Sequence, residues 1–227
     1  MKLEKITSES RRRYEDACGT AHALDLIGER WSLLVMRELM LGPRRFGDLR
    51  GSLPGLSANV LTQRLEGLES AGILRRRRLA PPASVQVYEL TDWGREAEPM
   101  IRDLGRWAAR SPLHDPTLPL SPVSLILSLR TMFDADKARG VDVTLGLRFG
   151  EEAFRVTVRD GVLEAERGEA SAPEAVVTGR PDAFAGLIYG FRALKALEDE
   201  GLLAVDGDRA ALTRFAGLWD LPPKAGE

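Results

Sequence analysis

Apolar residues recur at helical spacing along the start of the chain, fall into strand spacing, and then repeat that change. From 21 to 41, AHALDLIGERWSLLVMRELML, the apolar face is Leu24, Ile27, Trp31, Leu34, Val35 and Leu39. Gly28 predicts a break into a short and a longer helix. Gly42-Pro43 predicts the end, because glycine suits the position after a helix and proline cannot continue one. Phe46, Leu49 and Leu53 form one face of a short helix. Leu53-Pro54-Gly55-Leu56 is a turn, and Ser57 caps a helix to about Ser70 with Leu61, Leu65 and Leu68 aligned. Ile73-Leu74 then starts a strand through Arg75, Arg76, Arg77 and Arg78. Pro81 to Ser84 turns the chain, and residues 85–90 return as a strand. Thr91 caps a helix to about Ala109, with Pro99 kinking it or ending its first segment.

The second half repeats the alternation on a larger scale. Residues 120–139 read as one helix with Val123, Leu125, Ile126, Leu129, Met132 and Phe133 as its apolar positions. Residues 141–149 alternate cleanly, and AFRVTVRDGVLEAERG continues the pattern around Asp160-Gly161, a strong hairpin signal. EAVVTG adds a strand. Pro181-Asp182 starts a helix bearing Phe184, Leu187, Ile188 and Phe191, and a further helix covers about 192–200. A short strand with its turn and a terminal helix complete the half. Between the halves, RSPLHDPTLPLSP has four prolines and no hydrophobic period, which reads as a linker. The expected class is α+β in two domains: 1–110, mostly helical with a β-hairpin; a Pro-rich linker at 111–119; and an α+β domain at 120–220.

Composition narrows the classes of function. With 44% hydrophobic and 29% charged residues, the chain is globular in character. No apolar run approaches the ~20 residues that span a bilayer. The segment MKLEKITSESRRRYEDA lacks the apolar core of a secretory signal. A cytoplasmic protein with no membrane partner is expected. The net charge of −2 conceals an asymmetry: residues 1–110 hold 19 Lys+Arg against 15 Asp+Glu, and the remainder 13 against 19. The first half suits a polyanion, which the second would repel. HExxH, CxxC, P-loop and GxGxxG patterns are absent, and His22 and His114 suggest neither metal site nor relay. No catalytic residue, metal or cofactor is expected, so the chain is read as a non-enzyme.

The chemistry lies in RRFGDLRGSLPGLSANVLTQRLEGLESAGILRRRR. Asn59 and Gln63 fall opposite the leucine face of their helix, with Thr62 beside them, and their amides match the bidentate pattern of adenine edges. Ser57 and Arg64 belong to the same surface. Two short helices with this turn fit a helix-turn-helix, and a basic hairpin directly after the recognition helix is a wing. Alternate strand residues face opposite sides, so about two of Arg75–Arg78 would meet a duplex. Arg44 and Arg45 are further phosphate candidates. The plainer alternative is a solvated polar helix face and a charge-protected edge strand.

The segment from Ala23 through the arginines, followed by VYELTDWGREAEPMIRDLGRWA, resembles the HxlR family of winged-helix regulators over roughly 15–110. Gly28 with Trp31, Gly-Pro-Arg-Arg-Phe at 42–46, the Ser57–Leu65 helix and Leu90-Thr91 through Gly94-Arg95 keep the family's order and spacing. The resemblance implies a homodimer, paired through N- and C-terminal helices, that reads an inverted repeat in double-stranded DNA. Some regulators of this type sense oxidants through a cysteine near Cys18. Here Arg11–Arg13 stand nearby and would lower its pKa. The favoured reading of Cys18 is a small residue buried at the dimer seam.

"LRFGEEAFRVTVRDGVLEAERG" with "AVVTGRPDAF" and "LEDEGLLAVDGDRAALTRFAGLW" resembles sterol carrier protein type-2-like domains over about 120–220. That resemblance implies an apolar tunnel and a hydrophobic small-molecule partner. Met132, Phe133, Phe154, Phe184, Leu187, Ile188, Phe215 and Trp219 are the candidate lining, against the alternative of a filled core. Two functions follow from different classes: a DNA-binding regulator, more readily a repressor, modulated by such a ligand; or a hydrophobic-ligand carrier using the winged helix only to dimerise.

Overall fold

A computed structural model describes residues 14–226. The first half contains α1 (Gly19–Ile27), α2 (Ser32–Leu39), α3 (Phe46–Ser52), α4 (Ala58–Ser70), β1 (Leu74–Arg78), β2 (Gln86–Leu90), α5 (Asp92–Arg95) and α6 (Glu98–Ala109). Gly28 ends α1 as its spacing requires, and Trp31 before α2 holds φ at +82°, a left-handed conformation uncommon for a bulky residue. The Ser57 hydroxyl accepts the Val60 N–H at 3.3 Å and so starts α4. Pro99 falls within the first turn of α6, where its missing N–H costs nothing, so the expected single helix is two.

β1 and β2 pair antiparallel, with Arg75 opposite Glu89 and Arg77 opposite Val87. Arg44 adds a backbone bridge: its N–H donates to the Tyr88 carbonyl at 3.0 Å, and the Tyr88 N–H returns to Arg44 at 2.8 Å. The segment before α3 is thereby fastened to the returning strand of the wing. Val35, Met36, Leu39, Leu49, Leu61, Leu65, Leu68 and Leu90 fill the core beneath.

The second half runs α7 (Pro122–Met132), β3 (Asp142–Phe149), β4 (Glu152–Arg159), β5 (Val162–Arg167), β6 (Ala175–Gly179), α8 (Pro181–Ile188), α9 (Leu194–Asp199), β7 (Leu203–Gly207) and α10 (Arg209–Ala216). Its sheet has the order β5-β4-β3-β6-β7, antiparallel except for the parallel β3–β6 pair. Val143, Leu145, Leu147 and Phe149 alternate toward the core, while Thr144 pairs with Thr157 between hydroxyls at 3.1 Å on the other side of β3 and β4. Gly179 is required at the step from β6 to α8: φ is +154°, and a Cβ would stand 2.2 Å from the Leu202 carbonyl oxygen. α7 ends at Met132, short of the residue 139 expected from periodicity. Phe133 turns away to bridge Trp219, with ring centroids 5.7 Å apart.

α7 belongs to both cores. Leu125, Ile126, Leu129 and Met132 pack with the second sheet, while Val123 and Leu127 pack with the helices of the winged-helix half. Ala109, the last residue of α6, packs the other way, into the second core. The C-terminal tail returns as well: the Ala225 N–H donates to Arg110 at 2.7 Å, and Lys224 Nζ donates to the carbonyls of Ala109 and Ser111, each at 3.1 Å. Leu127→Ala should therefore lower stability by about 2–5 kcal/mol. Because the two cores share α7, both halves should lose stability together. Urea unfolding followed separately by tryptophan fluorescence and far-UV dichroism checks this, and the two probes should report one shared transition.

Candidate nucleic-acid interface

Asn59, Thr62 and Gln63 are exposed on the first turns of α4, while Leu61, Leu65 and Leu68 are buried beneath them. The face that carries amides is thus available for a groove, and the face that carries leucines is what fixes the helix. Arg64 is used differently. Its guanidinium donates to the Arg30 carbonyl at 3.1 Å and pairs with Glu29 at 3.1 Å, tying α4 to the turn before α2.

The four wing arginines divide by strand alternation. Arg75 and Arg77 both reach Glu89, Arg75 Nε to one carboxylate oxygen at 2.7 Å and Arg77 Nε to the other at 3.0 Å. Arg76 turns to Glu69 at the end of α4, at 2.8 Å, and Arg78 Nε donates to the Ser84 carbonyl at 3.3 Å. All four remain exposed. Glu89 is only 7% exposed. Its burial alone would raise the carboxyl pKa, but the Arg75 hydrogen bond and the charges of Arg77 and Arg75 outweigh it and hold the group below its ordinary value. Three of the arginines are therefore oriented by two acids and the fourth by a carbonyl, which leaves the wing with net positive charge.

Arg45 is exposed, and its backbone N–H donates to the Asp48 carboxylate at 3.1 Å at the start of α3. Arg44 stands elsewhere. It is 6% exposed, with Nη1 2.8 Å from Glu152 of β4 and Nη2 2.9 Å from the Ser52 hydroxyl. Sequence placed it beside phosphate; the fold puts its side chain between the two halves, where Arg167 of β5 shares the same Glu152 oxygen. A second polar bridge lies nearby. Glu38 is 0% exposed and accepts from Arg37 at 2.8 Å and from the Ser121 hydroxyl, the cap of α7, at 2.7 Å. These interdomain residues escaped the sequence reading. The available signal was an acid, Glu38, on the same apolar face as Val35 and Leu39.

Of the residues read as ligand lining, Phe154, Phe184 and Phe215 are packed to full burial. The Phe184 ring lies 6.1 Å from Phe149 and 6.4 Å from Phe215. Ile188 is buried and Leu187 half-buried against the same cluster. Met132, Phe133 and Trp219 instead border a surface cavity of about 910 Å³ with Tyr189 and Phe191. Burial pushes the Tyr189 phenol up to about 12, and the phenol shares a hydrogen bond of 2.6 Å with Ser128. Cys18 is exposed in the single chain. Backbone and hydroxyl hydrogen bonds from Thr20 hold its thiol below the ordinary value, while Arg11, Arg12 and Arg13 lie outside the described residues. No helix among the described residues is long and apolar enough to cross a membrane.

An HxlR-like helix-turn-helix family model matches residues 26–114. The regulator YvaP of Bacillus subtilis is 36% identical over 87 residues, which are 38% of this chain and 80% of that protein. The chain belongs to the HxlR-like helix-turn-helix family. Regulator sll1512 of Synechocystis is 45% identical over 85 residues, and this chain spans 62% of its length. YodB of Bacillus subtilis is 33% identical over 86 residues, covering 77% of that protein. These matches cover the winged-helix half of the family member. Residues 118–225 match a different model, the alkyl sulfatase C-terminal domain. Among solved structures, reduced YodB overlays 44% of this chain and 100% of its own at 29% identity and a TM-score of 0.39. The sec-alkylsulfatase Pisa1 from Pseudomonas overlays 44% and 16% at 28% identity and a TM-score of 0.42. The second half thus takes its match from the alkyl sulfatase C-terminal model, where the sequence suggested a sterol carrier.

The lowered Glu89 pKa has a testable sign. Its ion pairs add stability fully present above the unfolded carboxyl value near 4.5 and lost as pH falls through the lower folded value. Glu89→Gln should destabilise the protein at pH 7. That deficit should shrink below about pH 4.5 as the parent carboxylate titrates, which urea melts of both proteins across this range will measure.

Proposed function

We propose that this HxlR-family protein is a transcriptional regulator that binds an inverted-repeat operator as a homodimer, in the simplest arrangement as a repressor. α4 enters the major groove and the β1–β2 wing contacts flanking phosphate. The observation that carries this reading is the division of α4: Asn59, Thr62 and Gln63 exposed on its first turns, leucines buried behind them, and a row of exposed arginines on the adjoining strand. Amide and hydroxyl groups at the N-terminal end of a helix are suited to direct readout of base edges. The reading as a non-enzyme is supported by the disposition of the second half, whose interior is a packed aliphatic core around Phe154, Phe184 and Phe215 and many of whose charged groups are engaged in ion pairs such as Arg155–Glu166 and Arg209–Glu198.

A dimer surface is supported by α6. Met100, Leu104 and Trp107 recur at helical spacing on its outer side, Trp107 at 72% exposure, and Leu24 of α1 is exposed as well. An apolar stripe of this kind on a helix marks an association surface. Leu104→Glu with Trp107→Glu should convert dimer to monomer in sedimentation velocity, with folding retained because both side chains already face solvent.

The carrier alternative loses support where the family match covers a DNA-reading half and the proposed tunnel position is occupied by Phe184 and its neighbours. The second half is better read as a brace for the wing, open to a small effector from outside its core.

Base reading is tested at two residues. Asn59→Ala and Gln63→Ala should each cost about 1–3 kcal/mol against the preferred site and relax specificity there. The site itself comes from sequencing the fragments of its own genome that the protein retains. A double variant binding as tightly as the parent would remove α4 from the groove. For the wing, substituting Arg75 with Arg77, or Arg76 with Arg78, should weaken binding nearly uniformly across sequences. The salt slope should become shallower by about 0.9 for each lost phosphate contact.

A further inference from the structure

A cleft of about 1080 Å³ separates the two halves. Trp31, Leu34 and Pro54 line it on the winged-helix side, and Leu120 lines it at the end of the linker. Across from them stand the β3–β4 turn, Arg167 and the start of α8. Arg44, Arg167 and Glu152 belong to this lining, and their charges do not balance. A single oxygen of Glu152 receives both guanidiniums. The Arg44 side chain is 7% exposed, its Nε has no partner, and Arg167 Nη2 has none either. A guanidinium is built to meet two acceptor oxygens at once, and a buried charge short of partners is costly.

Arg45 lines the cleft as well, exposed and with no ion pair among the described residues, while several other charged groups there are engaged. Arg37 is held by Glu38, Arg180 by Asp182, and Asp48 accepts the Arg45 backbone N–H. Glu151, on the β3–β4 turn, also lines the cleft and is exposed. Gly179, Arg180 and Pro181 border the same space at the start of α8, but the Arg180 N–H is spent on the Leu202 carbonyl at 3.1 Å, Pro181 has no N–H and Asp182 stands in the first turn, so the positive character of the cleft comes from its guanidiniums.

We infer that this interdomain cleft is a binding site for a small amphiphilic oxyanion, a carboxylate or a phosphate monoester. Its oxygens take the guanidiniums of Arg44 and Arg167 in competition with Glu152, and its apolar body lies along Leu34, Pro54 and Leu120. Occupancy has a direct route to the wing. The Arg44 backbone is paired with Tyr88 of β2, and α3 begins two residues later. An anion that draws Arg44 from Glu152 therefore loosens the brace that the second half sets against the wing. This coupling rests on the reading as a DNA-binding regulator; the site does not.

The test uses the full chain without DNA. Calorimetric titration with octanoate and with octyl phosphate should show saturable binding of at least one, and the stronger of the two identifies the headgroup. Arg167→Gln should weaken that binding about tenfold or more, as expected for loss of a charge-assisted contact. Arg155→Gln, on the solvent side of the sheet, should leave it unchanged. Arg167 is chosen because Arg44 is buried between the halves, where its loss also removes the tie to Ser52. Equal binding of 1-octanol, equal binding of inorganic phosphate, or indifference to Arg167→Gln would overturn the site. DNA retention measured with and without saturating anion should differ about fivefold or more. No difference would overturn the coupling and leave the site standing. Failure of the anion-free protein to retain DNA would overturn the regulator reading alone.

Discussion

Val123 and Leu127 leave α7 toward the winged-helix core, while Leu125, Ile126 and Leu129 leave it toward the second core. Much else in the fold depends on this double burial. A helix eleven residues long offers about three turns, and here both of its faces are used by hydrophobic cores. The proline-rich connection before it is consequently a short strap between fixed points. Glu38 seals the joint by accepting the hydroxyl that caps α7, so the start of the helix and its placement on α2 are set by one oxygen.

Polar bridges add directed bonds to the joint that the apolar faces of α7 form. Arg44, Arg167 and Glu152 supply directed bonds at the second contact. Their burial makes them costly unless every donor is met, and two donors are not. A joint built this way is adjustable when an outside anion competes with Glu152 for the two guanidiniums. The contrast with the wing is instructive. There the arginines stay exposed: solvent screens the Arg76–Glu69 pair, and the buried Glu89 is shared by Arg75 and Arg77, so it keeps one partner when phosphate takes the other.

The recognition helix shows a division of labour that depends on rigidity elsewhere. Its leucines and Arg64 hold it to α1 and α2, leaving Asn59, Thr62 and Gln63 with no structural task among the described hydrogen bonds. The exposed stripe on α6 has the opposite character, apolar and uncovered by any of the described residues. Surfaces that read DNA and surfaces that join copies are thus separated on the winged-helix half, and the second half braces it from a third side.

Local patterns in the sequence determined most of the elements. Period-3.6 stripes, the Ser57 and Thr91 caps, the Asp160-Gly161 hairpin and the proline breaks act within a few residues, so they are legible without a fold. The same holds for the polar face of α4, since its exposure follows from the burial of the leucines opposite. Only the tertiary structure decided what the arginines do. Arg44 and Arg45 are neighbours of identical chemistry, yet one is a buried interdomain tie and the other a surface residue, because the Arg44 partner lies 108 residues away on β4. Periodicity also identifies an apolar face without saying which core it enters. The twofold use of α7, the filling of the space beside Phe184 and the end of that helix at Met132 were fixed by what packs against them from distant parts of the chain.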